Sequence, residues 1–166
     1  MPINESLIAE LQQEASTTRK ILERVPFKDP NWKPHEKSMA IGQLAVHVAE
    51  LPNWINATLE HDELDFAKSE YNPPAACSGA ELVEILDKNV ASAMEILKKS
   101  SDEHFMTNWT LRNGKEIYFT LPKIAVLRSM VYNHIIHHRA QLGVYLRLLG
   151  IPLPGSYGPS ADEQMN

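Results

Sequence analysis

The sequence predicts an all-α protein, an antiparallel bundle of four helices with a small β-hairpin before the last one. Three observations carry this. Apolar residues recur at steps of three and four over four long segments. Polar or proline-bearing connectors separate those segments. One dipeptide, Asn113-Gly114, stands between two short runs rich in aromatic and β-branched residues. A helix with a single apolar stripe must bury it, and four such helices can close a bundle.

The elements follow in order. A first helix is expected from Ser6 to Val25, where Leu7, Ile8, Leu11, Ala15, Thr18 and Leu22 share a face. Asn4 or Ser6 would cap it and Pro26 would stop it. A polar loop, FKDPNWKPHEKS, comes next, and its Trp32 is expected to fold back onto the protein. The second helix runs from about Met39 to Leu59, with Ser38 as cap and the stripe Ile41, Leu44, His47/Val48, Leu51, Ile55, Leu59. Pro52 lies inside it and predicts a kink, because the stripe continues past it. After a proline-rich connector, KSEYNPPAACSGAEL, the third helix covers about Gly79 to Lys98. The hairpin occupies Thr107 to Thr120. Pro122 opens the last helix, where its missing N–H costs nothing, and Gly150 is placed to end it after Leu149. The tail from Ile151 reads as coil. With 166 residues and no internal repeat, one domain over residues 1–166 is expected.

Composition narrows the class. Apolar residues make up 43% and charged residues 22%, with a formal net charge of -5. The sequence pI is about 5.8 and the basic residues are scattered, which argues against a nucleic-acid surface. No apolar run approaches the ~20 residues that span a bilayer. The opening, MPINESLIAELQQE, lacks the basic and apolar regions of a signal peptide. A cytoplasmic protein acting on a small molecule is expected, with no nucleic-acid or membrane partner. Cys77 is the only cysteine, so no internal disulfide forms, and it reads as a small, partly buried residue.

The stretch NHIIHHRAQL, Asn133 to Leu142, holds three of the seven histidines. A stripe drawn along the last helix passes through Ile124, Leu127, Val131, His134, His138, Leu142 or Gln141, Tyr145 and Leu149. His134 and His138 thus fall one turn apart on the apolar side, where their rings can converge. His137 falls one residue off that line. His47 holds a similar place in the stripe of the second helix and is the candidate third ligand. Three neutral imidazoles suit one divalent ion per chain, zinc or nickel, with a fourth position left open. The competing reading makes each histidine a satisfied polar residue of the core. HIIHH lacks the glutamate of HExxH, so a metallopeptidase is disfavoured. Glu50, one turn from His47, is a candidate to orient a ligand or take a proton. Arg139 is a candidate anion-binding group at the bundle mouth, against a plain surface cation. Asn133 and Gln141 are candidates to bond the ligands from outside. Trp54 and Tyr145 read as core; His35, His61 and His104 fall in or near connectors.

NWKPHEKSMAIGQLAVHVAELPNW (Asn31 to Trp54) and NHIIHHRAQLGVYLRLLGIPLPGSYG (Asn133 to Gly158) resemble the DinB/YfiT-like family of metalloenzymes. So does the opening from Leu11 to Pro26, and the likeness covers nearly the whole chain. It implies an up-down-down-up four-helix bundle, metal ligands at His47, His134 and His138, and a homodimer. The HIIHHRAQ segment matches the family's HxxxHRxQ. Relatives include enzymes that transfer low-molecular-weight thiols, so a thiol co-substrate is implied as well. Three functions follow: a metal-dependent thiol transferase, a metal-dependent hydrolase, and a non-catalytic metal-binding or structural bundle.

Overall fold

The structure, a computed structural model, describes residues 2–70 and 72–164. Tyr71 of the proline-rich connector and the extreme ends of the expected 1–166 domain lie outside the described residues. The helices are α1 (Ile3–Leu22), α2 (Ile41–Glu50), α3 (Trp54–Glu60), α4 (Gly79–Lys99), α5 (Asp102–Met106), α6 (Lys123–Val126) and α7 (Asn133–Leu148). The strands are β1 (Glu63–Asp65), β2 (Asn108–Asn113) and β3 (Glu116–Pro122). Among the described residues, no helix is long and apolar enough to cross a membrane.

The expected second helix is α2 and α3, joined by a 3-10 turn over Leu51–Asn53 that contains Pro52. A proline inside a helix removes a donor and crowds the preceding turn, which accounts for the break. The expected fourth helix is α6 and α7, joined by a π-helical segment over Leu127–Tyr132. Its end is a Schellman motif: Ile151 N–H donates to Leu146 O and Gly150 N–H to Arg147 O, with Gly150 at φ 70°.

The buried residues form two apolar halves. One holds Ile21, Leu22, Ile41, Leu44, Leu82, Leu86, Leu142 and Leu146. The other holds Leu7, Leu11, Leu51, Ile55, Ala93, Leu97, Leu127 and Ile135. The order in which each helix visits them gives its direction. α1 and α6–α7 run from the second half to the first; α2–α3 and α4 run the other way. The order is therefore up, down, down, up. Between the halves lies a polar layer: buried Glu14, Thr17, Thr18 and Arg139, with half-buried His47, His134 and His138 at the same level.

Several helix starts differ from expectation. α1 begins after Pro2 without a side-chain cap, and Ile3 N–H donates to Asp102 Oδ1 of α5 (2.9 Å). α2 begins after Ala40, and Ser38 does not cap it. Its first N–H groups are satisfied by loop carbonyls: Ile41 donates to Trp32 O (2.8 Å) and Gly42 to Pro30 O (2.9 Å). Trp32 does fold back, standing edge-on to Tyr145 with ring centroids 5.7 Å apart. Ser78 caps α4 by accepting from Glu81 N–H, while the Glu81 carboxylate accepts from Cys77 N–H. Cys77 itself is exposed rather than partly buried.

The small hairpin is part of a larger unit. β2 and β3 pair antiparallel around a two-residue loop that opens on Gly114 at φ 58°. β1 adds a third strand parallel to β2, so the sheet is mixed, in the order β1-β2-β3. Asp65 ties it down, its Oδ1 accepting from Gly114 N–H (2.8 Å) and Ala67 N–H (3.0 Å). Trp109 and Leu111 of β2 pack with Val126 against the bundle. Lys123 is fully buried there and donates to Thr58 O, His61 O and Asp62 Oδ1, fixing the end of α3.

Candidate metal centre

His47 comes from α2, and His134 and His138 from successive turns of α7. The π-helical segment sets where they point. An α-helix gains 100° per residue, and a π turn falls behind by about one residue. Val131 and Tyr132 are both buried as a result, and the buried line then runs through Ile135, Arg139, Leu142 and Leu146. His134 and His138 stand one residue aside, half-buried on the shoulder facing α2. This corrects the stripe drawn through them at constant pitch: they flank the core rather than occupy it. His47 likewise flanks the buried Val48.

The three imidazoles converge. One ligand nitrogen from each lies within 4.8 Å of the other two. Ring centroids are 5.2 Å apart for His47 and His134, 4.7 Å for His47 and His138, and 4.5 Å for His134 and His138. His134 Nδ1 donates to Met130 O (3.2 Å), and His138 Nδ1 lies 2.7 Å from Gln141 Oε1. A carbonyl oxygen only accepts, so those contacts place a proton on each Nδ1. The two Nε2 atoms are then both lone pairs, and they face each other at 2.8 Å. Two facing lone pairs repel unless a proton or a cation lies between them. The donor set therefore fits a cation: three nitrogens, two of them held in the metal-binding tautomer by carbonyl acceptors.

The electrostatics agree. Burial, reinforced by His138 and His134, pushes the His47 pKa down to about 4. Burial also lowers His134 and His138. All three are neutral at pH ~7, the form that binds a divalent ion.

The remaining residues have other places. His137 and His61 are exposed, and His35 accepts from Lys37 N–H in the loop. His104 donates to Leu59 O at the end of α3 (2.8 Å). Glu50 is half-buried, one turn beyond His47 on α2. Trp54 packs beside Trp109 near the sheet, and Tyr145 is buried with its hydroxyl donating to Met39 O. Arg139 is 4% exposed and faces α1 and the tail. Its Nη1 pairs with Glu14 Oε2 (2.6 Å) and donates to Glu14 O and Thr18 Oγ1 (both 3.1 Å). Its Nη2 donates to Tyr157 Oη (2.6 Å), and that hydroxyl donates in turn to the Glu14 carboxylate. Sequence reasoning missed this network, since Glu14 and Thr18 read as ordinary members of an amphipathic helix.

The model of the DinB family matches residues 1–165. YrdA of Bacillus subtilis (strain 168), an uncharacterized protein, is 22% identical over 150 residues, covering 90% of this chain and 85% of its own. Two crystal structures share the fold. The DinB-like protein YjoA of Bacillus subtilis superposes with a TM-score of 0.69 at 17% identity, over 96% of this chain and 99% of that one. A DinB-like protein of Bacillus cereus ATCC 10987 superposes with a TM-score of 0.70 at 20% identity, over 92% and 97%.

Proposed function

The chain belongs to the DinB family, and on that premise we propose that it is a divalent-metal-dependent enzyme that joins a low-molecular-weight thiol to an electrophilic small molecule. The convergence of His47, His134 and His138 carries this reading. The ion is zinc or nickel, one per chain, as suits three neutral imidazoles. When bound, it supplies a fixed positive charge that lowers the pKa of a neighbouring thiol or water.

The chain's own residues do the rest. Each of the three histidines is only half-buried, so the site keeps contact with solvent, and three protein ligands would leave a coordination position for a small molecule. Met130 O and Gln141 Oε1 hold two of those rings in place. Glu50 is assigned the proton that the thiol gives up, because it follows His47 by one turn on the same helix. The proposal gives Arg139 no contact with substrate, since its guanidinium is engaged with Glu14, Thr18 and Tyr157.

Untagged protein should carry close to one divalent ion per chain by elemental analysis. His47→Ala, His134→Ala and His138→Ala should each remove it, and His137→Ala should not. Loaded protein should then be screened with several small thiols and a chromogenic electrophile. We expect acceleration with at least one thiol, lost on chelation and in His138→Ala. No acceleration with any thiol would sink thiol transfer and leave a hydrolase or a non-catalytic metal-binding bundle.

The chain acts in the cytoplasm as a homodimer in this reading. Val144 and Leu148, both 59% exposed on α7, are apolar surface available for pairing. Equilibrium sedimentation at micromolar protein should give about twice the 18.7 kDa chain mass; the chain mass alone would remove the dimer without touching the chemistry.

A further inference from the structure

His134 and His138 have their Nδ1 protons fixed by different means. The acceptor for His134 is the backbone carbonyl of Met130, which no substitution removes. The acceptor for His138 is the side-chain oxygen of Gln141, one turn further along α7. We propose that Gln141 is a positioning residue that selects the metal-binding tautomer of His138 and so sets the affinity of the site for a divalent cation. The inference rests on the metal reading above and adds a residue to it.

A neutral imidazole carries one proton on either nitrogen. A free ring in water favours Nε2, the wrong nitrogen here, because His138 Nε2 is the one that faces His134 Nε2. Holding the proton on Nδ1 needs an acceptor within hydrogen-bond reach. Gln141 Oε1 at 2.7 Å meets that need. Without it, the Nε2–H tautomer gains population and can donate to His134 Nε2, 2.8 Å away. One contact then removes two lone pairs from the cation. A ligand's outer hydrogen bond of this kind is worth about 10–100-fold in metal affinity.

The chemistry of the replacement separates tautomer control from packing. Gln141→Leu removes the acceptor. Gln141→Glu keeps an acceptor at the same reach and adds charge. Neither change disturbs the fold's interior, because Gln141 is exposed.

Zn2+ affinity, measured by competition with a chromogenic chelator, should fall about 10-fold or more in Gln141→Leu and be equal or tighter in Gln141→Glu. Imidazole nitrogen-15 shifts of the metal-free proteins give an independent readout. The Nδ1-protonated fraction of His138 should be larger in the wild type and in Gln141→Glu than in Gln141→Leu, where the ring shifts toward Nε2–H, while His134 keeps its proton on Nδ1. Equal Zn2+ affinity in Gln141→Leu and wild type, or a Gln141→Glu protein as weak as Gln141→Leu, would overturn the inference while leaving the metal site standing. A wild-type protein that binds no Zn2+ would overturn both.

Discussion

At the scale of single residues, Arg139 and Glu14 form a buried ion pair that is costly to break. Both are nearly fully buried, at 4% and 5% exposure, and both are hydrogen-bonded on several sides. Such a pair contributes little net stability, but losing one partner leaves an uncompensated buried charge. Glu14→Leu should therefore cost ~3–5 kcal/mol in urea unfolding, and Glu14→Leu with Arg139→Met should cost far less than the two single changes added. Additive losses would show that the pair is not acting as a unit. In the sequence, Arg139 follows two histidines and could serve equally at the surface or at a cleft. Nothing local shows a guanidinium neutralised from 125 positions away. Lys123 was hidden in the same way, since the carbonyls it serves belong to the end of α3. The three clustered histidines were legible for the opposite reason. Two lie within one helix turn, and the third sits inside an unmistakable apolar pattern.

At the scale of elements, the four helical segments were legible because their stripes are long, and a stripe tolerates errors at its ends. Their starts were not, because α1 and α2 take their first hydrogen bonds from other parts of the chain. The π-helical segment was also invisible: periodicity counted at constant pitch runs straight through Leu127–Tyr132 and turns His134 and His138 into core residues. β1 was missed because three residues are too few to show alternation. Two glycines test how the helices are held. A Cβ on Gly79, at the start of α4, would stand 3.0 Å from the carbonyl oxygens of both Leu22 and Glu23. These are backbone atoms, so Gly79→Ala should push α4 off the end of α1 and cost ~1–3 kcal/mol. Gly143, within α7, has nothing within 4 Å of its would-be Cβ. There Gly143→Ala should gain ~0.5–1 kcal/mol from helix propensity alone. Urea midpoints moving in the same direction for both would show that the close contact at Gly79 is not what holds α4 against α1.

At the scale of the whole molecule, the bundle is two apolar halves joined through a polar layer, and that layer should govern its response to pH. Folding holds His47 at a pKa of about 4, and burial lowers His134 and His138 as well. In an unfolded chain each would titrate near ~6.5. Above about pH 6.5 neither state binds these protons, so their contribution to stability is fully present. Between about pH 6.5 and pH 4 the unfolded chain binds more protons than the folded one, and stability falls as pH falls. Below about pH 4 the contribution of His47 is gone. Metal-free protein should therefore lose Tm steadily across this window. Carboxylates elsewhere titrate in its lower part, so the useful quantity is the difference between wild type and His47→Leu, whose curve should be flatter. Adding Zn2+ should raise Tm at neutral pH and steepen the acid side, because protons and the cation compete for the same nitrogens. Melting curves at intervals from about pH 4 to pH 8, with and without Zn2+, read all of these together. A wild-type curve parallel to that of His47→Leu would mean that the histidine layer is not coupled to folding, and a Zn2+ effect independent of pH would place the bound ion outside it.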